Sequence, residues 1–263
     1  KGLVGGVLYS VGILDDARLA INLAQTAAEK GGVIINFMKV TSLSKTGDKA
    51  TGLVVEDVEK HKSYTLSAKT IVNATGVFVD EILRMDTPSG NPLVRPSQGA
   101  HIVLDSFFLK GNVALMIPKT TDGRVLFAVP WHNHLLVGTT DTPLNEHSLE
   151  PRALKEETDF ILNTAASYFK TKPTEDDILS VFSGLRPLAA PTDSNANSTK
   201  EISRDHKLIV SAKGLITITG GETIGLEQIK NNFSNAIIYP NPSNGTFHFQ
   251  SYELNGEVEF TMI

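Results

Sequence analysis

The sequence predicts a mixed α/β fold in which helix-and-strand units flank an antiparallel sheet, and three observations carry that prediction. An Ala- and Leu-rich helical run, Ala17–Lys30, is followed by short apolar strands. Between His101 and Thr139 come four strand-like runs separated by turn residues, with no helical periodicity among them. Helical spacing returns after Ser148, and a final strand pair follows at Lys207–Val210 and Leu215–Thr219.

Taken in order, Asp15 and Asp16 offer an N-cap and a first-turn carboxylate, while Leu19, Leu23 and Ala27 recur at helical spacing. Gly31 and Gly32 supply the stop. Val33–Asn36 reads as a short apolar strand, and Lys39–Leu43 and Gly52–Asp57 as two more, with Tyr64–Ser67 continuing the ribbon. Ile71 to Gly76 reads as a buried strand running into a tight turn, with a short helix through Leu83. In the middle, His101–Leu104, Val113–Ile117, Arg124–Trp131 and Leu135–Thr139 form the antiparallel meander, and Asp122 with Gly123 marks one hairpin. Period-two alternation sets Arg124, Leu126 and Ala128 on one face and Val125, Phe127 and Val129 on the other. Ser148, with Pro151 in the first turn, is expected to open a helix whose stripe is Leu154, Ile161, Ala165 and Tyr168. Thr174 and Asp177 match a capping box for a short helix that ends near Ser183 and Gly184. Pro191–Lys200 is a polar loop. From about Glu222 the composition changes to a turn-rich segment, Tyr239 to Gly245, followed by alternating strand residues.

With 41% hydrophobic and 20% charged residues among 263, the chain has an ordinary globular balance. A formal net charge of -5 argues against a general nucleic-acid or membrane-surface binder, which needs a basic face. The absence of cysteine excludes disulfides, thiolate metal sites and a thiol nucleophile. No apolar run approaches the ~20 residues of a membrane-spanning helix. The first residues show no signal-peptide pattern and read like a start in mid-fold.

Four polar segments fall at strand ends: Ser97–His101, Arg124, Gly138–Asp141 and Ser183–Pro187. A strand end aims a side chain well because the sheet behind it is rigid. Two arginines suit a dianionic phosphate, and a histidine can take a hydroxyl proton as carbon-bound hydride departs. Each feature also has a plainer reading. A strand histidine often only hydrogen-bonds, Arg186 before Pro187 caps or pairs, Thr139–Asp141 forms an Asx-type turn, and Gly220 with Gly221 permits a tight turn. His132 and His134 have no third ligand at metal spacing nearby, so no metal is expected.

In order, GGVLYSVGILDDARLAINLAQTAAEKGG, IVNATGVFVDEI, VRPSQGAHIVL, IPKTTDGRVLFAVPWHNHLLVGTTDTP, SGLRPL and ISRDHKLIVSAKGLITITGG resemble the FAD-dependent glycerol-3-phosphate dehydrogenase family over about Gly5 to Gly221. The resemblance implies a D-amino-acid-oxidase-like fold: a partial three-layer FAD-binding domain at 1–96 and 180–222, and an antiparallel substrate domain at 97–179. It implies oxidation of sn-glycerol 3-phosphate to dihydroxyacetone phosphate, with hydride passing from C2 to flavin N5. His101 then matches the active-site histidine. Arg124 and Arg186 match phosphate-holding arginines, with Thr140 beside them in the substrate site. Val40, Asn73, Ala74, Thr75, Gly76, Gly220 and Gly221 match positions that approach FAD. Quinone or oxygen would accept the electrons, and the enzyme would be cytoplasmic, peripheral to the inner membrane.

Two departures bear on this. No G-x-G-x-x-G followed by a helix occurs in the 263 residues, so weak or absent FAD binding is expected of this chain alone. Glu222 stands after Gly220 and Gly221 where the family carries a lysine, and a carboxylate there would repel a phosphorylated substrate. The remaining 223–263, with IIYPNPSNGTFHFQ, resembles the start of a type IX secretion sorting domain, which would point to export. Two other readings stay open: a non-catalytic exported or interaction protein keeping only the fold, and a flavin-dependent amine or amino-acid oxidase.

Overall fold

In the computed structural model, residues 8, 13, 15–118, 120, 123–146, 148–190 and 207–219 are described, with the strands at 236–240, 247–251 and 258–260. The chain divides into two compact units, residues 1–39, 56–63 and 230–263 in one and 40–55 with 64–229 in the other.

The second unit is organised by β5, Val94–Asp105, a twelve-residue strand whose alternation decides what each face does. Gln98, Ala100, Ile102 and Leu104 point to one side and are buried, the last three completely. Ser97, Gly99, His101 and Val103 point to the other. Around it the sheet runs β10 (Ser180–Ala189), β5, β8 (His134–Gly138), β7 (Leu126–Trp131) and β6 (Leu115–Ile117), with β9 (Thr142–Pro143) on the first residues of β5. Every pairing in it is antiparallel. The buried side packs on α3, Lys155–Tyr168, where Ile161 and Ala165 meet Ile102, Leu104, Leu126, Leu135 and Val137. Burying that many aliphatic side chains contributes ~1.5–3 kcal/mol apiece before entropy is subtracted. This cluster is what makes the strand ends rigid.

A smaller layer pairs β4, Ile71–Asn73, in parallel with β12, Leu215–Thr219, which is antiparallel to β11, Lys207–Val210. Ile71 and Leu215 pack with Ile82 of α2, Val79–Asp86, and with Val40 of β1, Met38–Thr46. The strands β2 (Lys49–Asp57) and β3 (Lys62–Ser67) complete a meander with β1. Asp80 of α2 accepts from Leu93 N and Val94 N at 2.8 and 3.2 Å, which fastens the start of β5 to this layer. Lys45 pairs with the fully buried Asp86 at 3.1 Å, and Lys213 donates to the Asp86 carbonyl at 2.8 Å. Both cations thus sit at the carbonyl end of α2, where the helix dipole favours them.

In the first unit, α1, Asp16–Glu29, starts as expected, with Asp15 accepting from Arg18 N at 3.0 Å. The tail forms its own antiparallel sheet of β13 (Ala236–Pro240), β14 (Phe247–Ser251) and β15 (Val258–Phe260).

Three sequence expectations are corrected. Val33–Asn36 is not a strand: Val33, Ile34 and Ile35 are exposed, and among the described residues no neighbouring strand pairs with them. An apolar run without a ladder partner has nothing to satisfy its backbone groups as a strand. The helix expected from Ser148 begins only at Lys155, because the carboxylate of Glu157, not Ser148, accepts from the N-terminal amide of Leu154 at 2.9 Å. Ser183 and Gly184 do not end a helix but lie inside β10. The Thr174–Asp177 box caps only a single 3-10 turn.

Candidate active site

The register brings His101 opposite Phe182 on β10 and Gly138 on β8. Its ring stacks on Phe182 at 5.1 Å between centroids and 10° between planes. On the other side it lies over Gly138 so closely that a Cβ there would meet ring Cγ and Nε2 at 2.7 Å. The imidazole is therefore held between an aromatic ring and a bare glycine, on the face of the sheet away from α3.

Two rungs along, Gly184 faces Gly99 and Arg186 faces Ser97, so Arg186 shares that face with His101. Its guanidinium lies across Gly99, where a Cβ would meet Nη1 at 2.5 Å and Cζ at 2.6 Å. Nη1 donates to the Thr140 carbonyl and Nη2 to Thr139 Oγ1, each at 3.0 Å. Ser97 Oγ donates to the Asp141 carboxylate nearby. A fork-shaped cation fixed on two sides beside a half-buried imidazole is suited to an anionic group on a substrate whose hydroxyl lies near the histidine.

The structure does not bring Arg124 into this group. It precedes β7 in phase with Leu126 and Ala128, on the α3 side, and its guanidinium lies 5.2 Å from the centre of the Phe160 ring. The sequence alternation indicated that face, while pairing Arg124 with Arg186 required them on the same one. Thr140 also reaches the site indirectly. Its buried hydroxyl accepts from Ala100 N at 2.8 Å and donates to Glu157 at 2.8 Å, and only its carbonyl meets Arg186.

Glu157 is the residue that sequence reasoning missed. Buried on the first turn of α3, it accepts from Thr140 and Thr142 on one oxygen (2.8 and 2.6 Å) and from Gln98 and Leu154 N on the other (2.7 and 2.9 Å). Burial pushes its pKa up, but the four hydrogen bonds outweigh that and hold it below the ordinary 4.5. Its contribution to stability is therefore complete above 4.5 and is lost as the pH falls through the lower folded value. Thermal melts are expected to show Tm falling below that pH in the wild type, with a shallower slope in Glu157→Gln.

For a dinucleotide, the relevant ends are those of the parallel pair. Thr217 lies beside Asn73, so both strands deliver their C-terminal ends to one place, the usual ligand-binding edge of parallel strands. Asn73 is buried, donating to the Val79 carbonyl at 2.9 Å and accepting from Thr75 at 2.8 Å; Ala74 and Thr75 are exposed, and Gly76 turns the chain at φ 60°. Thr217 and Thr219 carry buried hydroxyls with no hydrogen-bond partner among the described residues. Such orphaned hydroxyls beside an exposed turn fit the polar edge of a cofactor. Val40 packs in the apolar cluster behind this edge. Gly220 and Gly221, like Glu222, lie outside the described residues. Among the described residues no group of His, Cys, Asp and Glu could hold a metal ion, and no helix is long and apolar enough to cross a membrane.

The family model described as FAD dependent oxidoreductase matches residues 1–228. The chain belongs to this family. Among its relatives, the mitochondrial glycerol-3-phosphate dehydrogenase of Homo sapiens is 36% identical over 244 residues, 90% of the chain and 33% of that protein. The mitochondrial glycerol-3-phosphate dehydrogenase SDP6 of Arabidopsis thaliana is 39% identical over 225 residues, covering 84% of the chain and 35% of that protein. The solved glycerol-3-phosphate dehydrogenase of Bacillus halodurans, complexed with FAD, superposes with a TM-score of 0.69 at 34% identity, covering 79% of the chain and 39% of that structure. The chain thus spans about a third of the length of the curated relatives it matches.

Proposed function

We propose that this chain carries the substrate-handling site of an FAD-dependent enzyme that oxidises sn-glycerol 3-phosphate to dihydroxyacetone phosphate. One observation carries the reading: His101 and Arg186 share the open face of a rigid sheet, each seated on a glycine. Arg186 grips phosphate oxygens through its fork, and Thr139 and Thr140 keep the fork from swinging away. His101 receives the proton of the C2 hydroxyl as the C2 hydrogen leaves with its electron pair. What FAD supplies when bound is the two-electron acceptor for that hydrogen. Its protein neighbours in this reading are Val40, Asn73, Ala74, Thr75 and Gly76, with Gly220 and Gly221. Arg124, over Phe160, is left out of the phosphate site. The same reading sends the electrons on to a quinone or oxygen and places the enzyme on the cytoplasmic side, at the membrane surface.

A guanidinium seated beside an imidazole also suits a carboxylate, as in an amine or amino-acid oxidase, and one assay decides between them. In the FAD-loaded protein, Arg186→Ala is expected to lower kcat/KM for glycerol 3-phosphate by roughly 10- to 100-fold, the size of one charge-assisted contact. Oxidation of glycerol should change little. Equal losses for both, or turnover of glycine or sarcosine in place of the phosphate ester, would remove the reading.

A further inference from the structure

We infer that Glu157 is a positioning residue for Arg186, acting through Thr140 from the opposite side of the sheet. The inference rests on Arg186 being the phosphate ligand. Glu157 touches neither the open face nor the guanidinium. Its Oε1 takes the Thr140 hydroxyl at 2.8 Å, and the carbonyl of that same residue takes Arg186 Nη1 at 3.0 Å. The Thr140 hydroxyl also accepts from Ala100 N at 2.8 Å, and Ala100 follows Gly99, the seat of the guanidinium. On the other side of that seat, Gln98 donates to Glu157 Oε2 at 2.7 Å and to the Arg152 carbonyl at 3.0 Å. One carboxylate therefore fixes both neighbours of Gly99 and the residue that holds the arginine. Helix packing alone would be served as well by an apolar side chain, since burying a carboxylate is costly. A charge kept there at that cost, with two of its four hydrogen bonds, those from Thr140 and Gln98, joined to the seat of the arginine, is a device for holding geometry.

The test is a double-mutant cycle in the FAD-loaded protein, reading kcat/KM for glycerol 3-phosphate against glycerol. Glu157→Gln keeps an oxygen for the hydroxyls but loses the charge. It should lower the phosphate-to-glycerol preference roughly tenfold, as one weakened charge-assisted hydrogen bond would. In the Arg186→Ala background it should lower the preference no further. Thr142→Val removes a hydrogen bond to the same carboxylate oxygen but leaves in place the bonds from Thr140 and Gln98, so it should lower Tm and leave the preference alone. Equal losses on both substrates in Glu157→Gln, or a further loss on top of Arg186→Ala, would overturn the inference. Where Glu157→Gln does not fold, Thr140→Val keeps the carbonyl for Arg186 and cuts the hydroxyl's bonds to Glu157 and Ala100 N. The same selective loss is expected of it, and an equal loss on both substrates overturns the inference. If Arg186→Ala itself leaves the preference unchanged, the phosphate reading fails first, which separates the two failures.

Discussion

Replacing His101 with Asn should lower kcat by about 10²–10⁴-fold, the range a positioned general base supplies, with thermal stability nearly unchanged. Asn keeps a polar group of similar length between Phe182 and Gly138 but cannot accept a proton. The half-exposed ring contributes little to the apolar core, which lies on the other face of β5. KM for glycerol 3-phosphate should move little, because the phosphate contact belongs to Arg186, and the limb of the pH–rate profile that reports the imidazole should disappear. A variant with unchanged kcat and a raised KM would make His101 a binding group only.

Gly138→Ala should be nearly as damaging to turnover while leaving every polar group in place. A Cβ at this position enters the His101 ring, and Phe182 stacked on the far side closes the retreat. The ring must tilt or β8 must shift. Displacing a reacting group by about 1 Å costs on the order of 100-fold in rate, and overpacking costs ~1–3 kcal/mol in stability. The added Phe182→Ala should give back much of the lost kcat by reopening the far side. A double variant as slow as Gly138→Ala alone would show that the backbone, not the ring, had moved. Gly99 differs in kind, since what its Cβ would meet is the end of a long, flexible side chain.

What the sequence made legible was what obeys local rules. The alternation in Leu126–Trp131 gave the two faces of β7, though not which of them is buried, and Asp15 with the run after it gave α1. The turn at Gly76 followed from glycine after a buried strand. His101 and Arg186 were legible as residues but not as neighbours, because β10 carries Gly184 and Pro187, both strand breakers in a central position. The structure tolerates them because β10 is the edge of the sheet, with Pro187 opposite Pro96. Glu157 could not have been found locally. Its only short-range signal is the three-residue spacing from Leu154, and its partners Gln98, Thr140 and Thr142 reach it only through tertiary packing. Arg124 keeps the phase the alternation gives it, with Leu126 and Ala128 and over the Phe160 ring, and two arginines read along a sequence do not show whether their strands turn them to one face.

The most direct measurement is the phosphorus NMR signal of glycerol 3-phosphate titrated with the protein and with Arg186→Ala. It reads the phosphate contact itself and needs no turnover. The expected result is a saturable shift or broadening with the wild type that is lost in the variant and competed by inorganic phosphate. The same response from both proteins would contradict a phosphate site on the open face of the sheet.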